Sequence, residues 1–284
     1  MKENKLFENE VLQGERFEFG ENWKNFLENL SEQQIIECEK SLKEFLQINN
    51  LENRSFLDVG SGSGIISLAA ARLGGKIYSF DYDPSCVWCT EQLRKKFDFD
   101  KKQWHIQQGS ILDENYINTL GQFDIVYSWG VLHHTGNMKK SFEIISNLVK
   151  PKGGVLFIAI YNDQGILSKL WKIVKKIYCK SPRIIKSLLI FIIGIGIWGV
   201  KFFIDLIKLK PFNSWKNYHK IKRGMSPWHN VVDWVGGYPF EVAKPDDIID
   251  FFKYRGFRLQ KISAVGKSHN NNQFVFKKNE KLLK

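Results

Sequence analysis

The residues with the clearest chemical potential form the run Asp58-Val59-Gly60-Ser61-Gly62-Ser63-Gly64. An apolar strand leads into it and a helix starting at Ile65 leaves it. Glycines let backbone approach a ligand closely, and a helix N-terminus offers unpaired N–H groups, so this is a nucleotide-binding device. NAD sites use the same architecture with a G-x-G-x-x-G spacing. Counted from Gly60 and Gly62, the third glycine of that fingerprint falls on Ile65; the spacing here is G-x-G-x-G, preceded by Asp58. Three further pairs could do chemistry. His133 and His134 are adjacent. His229 and Asp233 are four apart, so a helix puts imidazole and carboxylate on one face, where the second can orient the first. Cys86 and Cys89 form a C-x-x-C with no second pair or His cluster to complete a zinc set, and read as two helix positions one turn apart.

The elements that must position these residues alternate. Residues 1–50 read as helical, with a capping box at Ser31-Glu32-Gln33-Gln34. Strands are expected at 55–59, 76–80, 104–107, 123–128 and 154–161, and helices at 65–73, from Pro84 with Asp83 as its cap, and at 138–149. Such alternation implies right-handed crossovers and a parallel sheet covered on both faces. The pattern breaks at Asn162 and resumes at Pro245 with a helix to Tyr254. Two closing strands, 257–264 and 273–277, are close enough to pair as an antiparallel hairpin. The organisation is therefore an N-terminal helical segment (1–50), a core (51–162 and 241–284) and an insertion (163–240).

The 284 residues suit one large domain with such an insertion. Four scattered cysteines give no disulfide framework, and residues 1–30 lack the apolar stretch of a secretory signal, so a cytoplasmic location is expected. The net charge of +12 is localised. Residues 163–240 carry 14 Lys/Arg against Asp163, Asp205 and Asp233, or +11, while the rest holds 28 Lys/Arg against 27 Asp/Glu. The basic character belongs to the insertion.

The run Phe56-Leu57-Asp58-Val59-Gly60-Ser61-Gly62-Ser63-Gly64 resembles the first motif of class I S-adenosylmethionine-dependent methyltransferases. The resemblance covers roughly residues 50–161 and 245–277. It implies a Rossmann-like α/β fold with a seven-stranded, mostly parallel sheet, a C-terminal antiparallel hairpin and, here, an inserted helical cap. In that family the loop (Asp58, Gly60, Ser61, Gly62, Gly64) holds the methionine end of the cofactor S-adenosyl-L-methionine. An acidic residue ending the second strand, here Asp81 next to Tyr82, grips the ribose hydroxyls; a carboxylate can accept from both. After the third strand the family often reads the adenine with an acid; this chain offers Ser110, with Ile111 against the ring. The segment Phe123–His134, including Ser128 and Trp129, resembles the motif facing the transferable methyl. It lacks the Asp/Asn-Pro-Pro-aromatic motif of enzymes that methylate amines of DNA bases, which argues against DNA as a partner. His133 and His134 are open to two readings: a base near neutral pH, or loop residues closing over the cofactor. Phe19-Gly20-Glu21-Asn22-Trp23 and the segment from Gly224-Met225-Ser226 to Asp233-Trp234-Val235-Gly236-Gly237-Tyr238-Pro239 are similar to a narrower bacterial methyltransferase group, in which Asp is more usual where Asn230 stands.

The insertion should choose the acceptor. Residues 184–207 are apolar, uncharged from Ser187 to Val200 and flanked by lysines. Fourteen uncharged residues fall short of the roughly 20 that span a bilayer, and Gly194, Gly196 and Gly199 argue against an unbroken helix. Two readings stand: peripheral contact with a membrane interface, or a cap helix pair buried on its own core or in a dimer, with the lysines solvated. The segment Gly224–Glu241 is dense in aromatics and suits an acceptor pocket or a structural corner. Trp228, Tyr238 and Tyr161 are the substrate-contact candidates, and His229 with Asp233 the catalytic pair for a hydroxyl acceptor. A small molecule is expected, methylated on oxygen: a sugar, a glycolipid precursor or a quinone-like lipid. The rivals are an RNA methyltransferase using the basic insertion and a non-catalytic cofactor-binding or membrane-docking protein.

Overall fold

Short apolar strands and the helices between them fold in the computed structural model into one seven-stranded sheet of order β3-β2-β1-β4-β5-β7-β6. Residues 2–218, 227–266, 268 and 270–279 are described. Helices α1 (Lys2–Leu12), α2 (Gly20–Glu28) and α3 (Glu32–Leu46) come first, the last with the expected capping box of Ser31 and Gln34. The crossovers run β1 (Ser55–Val59), α4 (Ile65–Arg72), β2 (Lys76–Asp81), α5 (Pro84–Lys96), β3 (Trp104–Gln108), α6 (Glu114–Ile117), β4 (Ile125–Trp129), α7 (Met138–Asn147) and β5 (Val155–Tyr161). β1 to β5 are parallel neighbours, and β7 (Asn271–Lys278) closes antiparallel between β5 and β6 (Phe257–Ser263).

A parallel sheet covered on both faces needs strands that are apolar throughout, and β1 and β4 are buried along nearly their whole length. One core lies on each face, one around Val126, Leu156 and Phe252, the other around Leu68, Trp104 and Phe157. The strand order reverses between β1 and β4, which opens a crevice at their C-terminal ends. Local signals set the edges. Asp83 caps α5 by accepting from the Ser85 amide at 2.8 Å. Phe123, expected in a strand, makes only an isolated bridge to Val149, and the short α6 appears because Asp113 caps it.

Between β5 and α12 (Pro245–Tyr254) stand α8 (Ile166–Lys180), α9 (Arg183–Ile207), α10 (Asn213–Lys216) and α11 (Pro227–Gly236). They share a small core of Tyr178, Cys179, Ile190, Val231 and Val235. The expectation of a glycine-broken segment is corrected: α9 is one unbroken helix of 25 residues. Each glycine costs about 1 kcal/mol against alanine, which a long run of Leu, Ile and Phe overcomes. Gly194 is buried where α9 meets Val231 of α11.

The turn after β1 is built on glycine conformations: φ is 78° at Gly60, 55° at Gly62 and 81° at Gly64. At Gly64 a Cβ would also stand 2.8 Å from the Thr90 Cα. Gly64→Ala therefore combines strain with a backbone clash and should cost about 1–3 kcal/mol, read as a lowered midpoint in urea; an unchanged midpoint would contradict the left-handed turn.

Candidate active site

The first element of the site is the turn Gly60–Gly64 at the mouth of the crevice. The Gly60 and Ser61 amides both donate to the Phe80 carbonyl, at 2.8 and 3.1 Å. The Gly62 amide donates to Asp81 Oδ2 at 2.8 Å, and the Asp83 amide to Asp81 Oδ1 at 3.0 Å. Asp81 thus ends β2 with its carboxylate against the turn. Enclosure by protein, with the Asp83 charge beside it, pushes Asp81 up to about 7 against the pull of those amides. Asp58 is directed the other way. It is buried, accepts from Ser67 Oγ at 2.5 Å, and that hydroxyl meets Ser79 Oγ, which receives the Trp104 indole N–H. Burial pushes Asp58 up to about 7. Its carboxylate therefore sits beneath the loop, at a helix–sheet junction, and not on the crevice surface.

The other expected contacts are placed as follows. The Tyr82 hydroxyl donates to Glu10 Oε1 at 3.2 Å. Ser110 Oγ accepts from the Leu112 amide, while Ile111 is packed into the core. Ser128 is buried and its hydroxyl donates to the Val59 carbonyl at 3.0 Å, tying β4 to β1 at the switch point. The Trp129 indole donates to Gln273 Oε1.

A strap formed by residues 10–23 crosses this mouth. Arg16 pairs with Glu10 at 2.6 Å, lies 4.8 Å over the Tyr82 ring and donates to the His134 carbonyl at 3.0 Å. The Gly20 amide donates to Asp83 Oδ2 at 2.8 Å. Trp23 rests on the turn so closely that a Cβ on Gly62 would stand 3.3 Å from its indole nitrogen. Asn22, one residue earlier, donates to Asp233 Oδ1 at 2.5 Å. The strap therefore joins the end of β2, the glycine turn and α11.

The end of β4 continues into a single 3-10 turn, Leu132–His134, that buries both histidines. His133 Nδ1 accepts from the Tyr161 amide at 3.3 Å, and its Nε2 has no partner among the described residues. His134 Nδ1 donates to the Pro239 carbonyl at 2.6 Å. Burial holds His133 well below its ordinary value and His134 at about 3, with the Lys175 charge adding to both. Both imidazoles are held neutral by burial, which favours the wall-residue reading of the two.

Beyond them lies a group the sequence reading left solvated. Lys175, on α8, is fully buried: its ammonium donates to the Trp234 carbonyl and lies 4.3 Å over the Trp234 ring and 4.8 Å over Phe240. Burial draws Lys175 down to about 7, and the same enclosure pushes the partly buried Asp233 up to about 7, against Asn22 and Lys175. Tyr161 completes a closely packed aromatic chamber whose interior the Lys175 ammonium fills, with ring centroids 4.1 Å from His133, 5.6 Å from Trp234 and 5.5 Å from Phe240. Its phenol is raised by burial and by Asp233. No local pattern marks Lys175. It shares a helix face with Ser168, Tyr178 and Cys179, opposite the stripe Ile166, Leu170, Ile173, Ile177, which is where amphipathic spacing alone would place a solvated lysine.

Of the remaining candidates, Trp228 is 46% exposed at the start of α11. Tyr238 gives its carbonyl to the Phe17 amide and lines a cleft of about 280 Å³ with Lys172, Lys176, Lys180, Pro239 and Glu241. His229 falls on α11, but its side chain lies outside the described residues, as do Gly224, Met225 and Ser226. Asp233 has Asn22 as its hydrogen-bond partner, and Glu241 accepts from the Met138 amide.

A family model described as a methyltransferase domain matches residues 50–222. The chain is 34% identical over 130 residues to a ribosomal protein L11 methyltransferase of Prochlorococcus marinus, covering 45% of this chain and 40% of that protein. It is 30% identical over 125 residues to a ubiquinone biosynthesis O-methyltransferase of Erwinia tasmaniensis, covering 43% and 47%. The chain thus spans less than half the length of these relatives. Among solved structures, magnesium protoporphyrin IX methyltransferase of Synechocystis PCC 6803 with bound S-adenosylhomocysteine superposes with a TM-score of 0.50 at 14% identity, over 87% of this chain and 83% of that one. At that identity the likeness is one of fold.

Lys175 carries a stability signature. Its pKa is about 10.4 unfolded and about 7 folded, so the folded chain binds fewer protons between those values and stability rises with pH there. Below pH 7 the full cost of charging a buried lysine is present, while Asp233 is protonated and leaves no partner charge. Lys175→Met should therefore gain about 1–3 kcal/mol at pH 6, a gain that shrinks as pH climbs toward 10. Thermal unfolding at both pH values reads this; a gain that grew with pH would contradict a buried, depressed lysine.

Proposed function

The chain belongs to the methyltransferase-domain family and is an S-adenosylmethionine-dependent methyltransferase, and on that premise we propose that it methylates an oxygen of a small molecule held against the cluster of Tyr161, Lys175, Asp233, Trp234 and Phe240. The cofactor's cradle fits the turn: at Gly60, Gly62 and Gly64 only glycine meets both the dihedrals and the space, and Asp81 presents a carboxylate at the end of β2, suited to a pair of hydroxyls. S-adenosylmethionine supplies an electrophilic methyl group on a sulfonium. The chain's own residues must orient the acceptor, exclude water and take a proton.

The observation that carries the reading is the Asp233 carboxylate, held by Asn22 of the strap at 2.5 Å and next in sequence to Trp234 of the aromatic cluster, with burial raising it above the ordinary carboxylate range. Asn22 holds Oδ1, which leaves Oδ2 to receive a hydroxyl proton. A base matters mainly for an oxygen acceptor, since the sulfonium is already activated. The neutral His133 and His134 wall the chamber without competing for the proton. The aromatic rings favour a flat or apolar acceptor, and Lys172, Lys176 and Lys180 at the neighbouring cleft favour an anionic group on it. A quinone-like or glycolipid-type acceptor meets both demands, and the ubiquinone biosynthesis O-methyltransferases among the relatives are in keeping with it. His229, four residues before Asp233 on the same helix, is the alternative proton acceptor.

Labelled methyl transfer into fractionated lysate identifies the acceptor; a label in an alkali-stable ether of a small molecule supports the reading, and a label in RNA, protein or an amine overturns it. Asp233→Asn should lower kcat by about 100-fold with S-adenosylhomocysteine affinity nearly unchanged. In the unchanged enzyme kcat should rise between pH 6 and 8 with a midpoint near 7, because Asp233 must lose its proton to act. Full activity of the variant, with His229→Ala inactive, would transfer the role to His229. Asp81→Ala should weaken S-adenosylhomocysteine binding by at least about tenfold by calorimetry, the worth of a hydrogen bond to a charged group; unchanged affinity would remove Asp81 from the cofactor site.

A further inference from the structure

Helices α8 and α9 turn outward an apolar surface far larger than a folded chain ordinarily leaves to water. On α9, Ile184, Leu188, Phe191, Ile192, Ile195 and Phe203 recur at helical spacing and are each at least 54% exposed. On α8, Ile166, Leu170, Ile173 and Ile177 form a second exposed stripe. Monomeric proteins rarely expose contiguous apolar patches beyond a few hundred square ångströms without a partner for them. Within the chain itself the segment is little buried: only Ile190, Gly194 and Asp205 of α9 are, so of the two readings burial on its own core is the one the structure does not bear out.

By length and composition α9 could cross a membrane, with a mean hydropathy of 2.2 over its best window, of which 11% is buried. Its inner face, however, is taken by protein: Ile190, Ile193 and Ile197 pack with Val231 and Val235 of α11. That packing anchors α9 to α11 beside the sheet, with its opposite face turned outward.

Charge decides what covers the outer side. Lys169, Lys176 and Lys180 are exposed, each three residues after an apolar position of the α8 stripe (Ile166, Ile173, Ile177), and so lie directly beside it. Arg183, Lys208 and Lys210 are exposed at the two ends of α9. No Asp or Glu occurs between Asp163 and Asp205, and the Asp205 carboxylate is turned inward, accepting from Ser214 N and Oγ at 2.6 and 2.7 Å. An apolar face rimmed by cations and free of acids matches acyl chains beneath anionic headgroups.

We propose that the α8–α9 face docks on a bilayer that contains anionic lipid. Phe191, Ile192 and Ile195 enter the acyl boundary, and the lysines meet phosphates. Taken with the methyltransferase reading, on which this clause rests, the docking makes the acceptor a membrane-resident molecule.

The test uses the full chain in flotation with vesicles of phosphatidylcholine alone and of phosphatidylcholine with a quarter phosphatidylglycerol, at low and high salt. Binding should favour the anionic vesicles at least about tenfold and weaken with salt. The double variant Phe191→Asp/Ile195→Asp should lose binding by at least about tenfold, both positions being exposed and so tolerant of a charge. Lys169→Glu/Arg183→Glu should abolish the preference for anionic vesicles while leaving the apolar face intact. No flotation of the unchanged chain, binding indifferent to these variants, or a dimer that Phe191→Asp/Ile195→Asp dissociates without any lipid binding would each overturn the proposal. S-adenosylhomocysteine binding measured on the same samples separates the two readings: its absence with flotation intact counts against the methyltransferase reading alone.

Discussion

The hydrogen bond from the Gly62 amide to the Asp81 carboxylate, 2.8 Å long, is the tie on which the rest of the site depends. It joins the loop after β1 to the end of β2, two points brought together only by the parallel crossover between them. An isolated amide–carboxylate bond is worth a modest amount, but here it acts in a partly dry crevice where an unpaired partner is costly. It also fixes where the turn presents its backbone. Trp23 then lies on Gly62, and Gly20 on Asp83, so the strap is seated on the same few atoms.

From that seat the constraint reaches the insertion. Asn22 and Trp23 are adjacent; one touches Asp233 on α11 and the other the glycine turn. The chamber beyond draws residues from four segments: His133 and His134 after β4, Tyr161 at the end of β5, Lys175 on α8, and Trp234 and Phe240 at and just past the end of α11. Burying a lysine and a carboxylate together draws the first down and the second up, toward each other's range. The same burial disables the histidines as bases, since nothing ionic pairs with them.

The sheet was legible in the sequence because each parallel strand is apolar along its length and each crossover helix announces its ends: Pro84 after Asp83, Ser31 before Gln34, the glycines after β1. The candidate site was legible where local pattern carries it, at Gly60, Gly62, Gly64 and Asp81. It was not legible where function arises from tertiary enclosure. Nothing local distinguishes Lys175 from Lys172 or Lys176; only the packing of Trp234 and Phe240 against it does. Residues 10–23 read as an N-terminal helical segment, and no periodicity reports that a strap from so far upstream crosses the crevice. Asp58 shows the converse, since a motif position suggests contact with a ligand while its buried carboxylate is directed to Ser67. For α9 a count of uncharged residues and glycines understated the helix, because helical continuity depends on the whole stretch and a tally of breakers does not capture it.

The insertion's charge acquires a different meaning once its lysines are sorted by direction. Lys175 points inward and belongs to the chamber, while Lys169, Lys176 and Lys180 point outward beside the apolar stripe of the same helix. α8 is thus a two-sided element: one face supplies Lys175, Tyr178 and Cys179 to the interior, and the other supplies Ile166, Leu170, Ile173 and Ile177 to the surface. A helix with its side chains is about 10 Å across, so whatever settles on the outer face lies a single helix diameter from the chamber. A lipid-borne acceptor would need to rise by only that distance. A freely diffusing polar acceptor gains nothing from such a surface, and leaving so much apolar area open to water has a cost that only a covering partner offsets. If the outer face docks on lipid, the position of α8 between chamber and surface ties the acceptor to that same lipid.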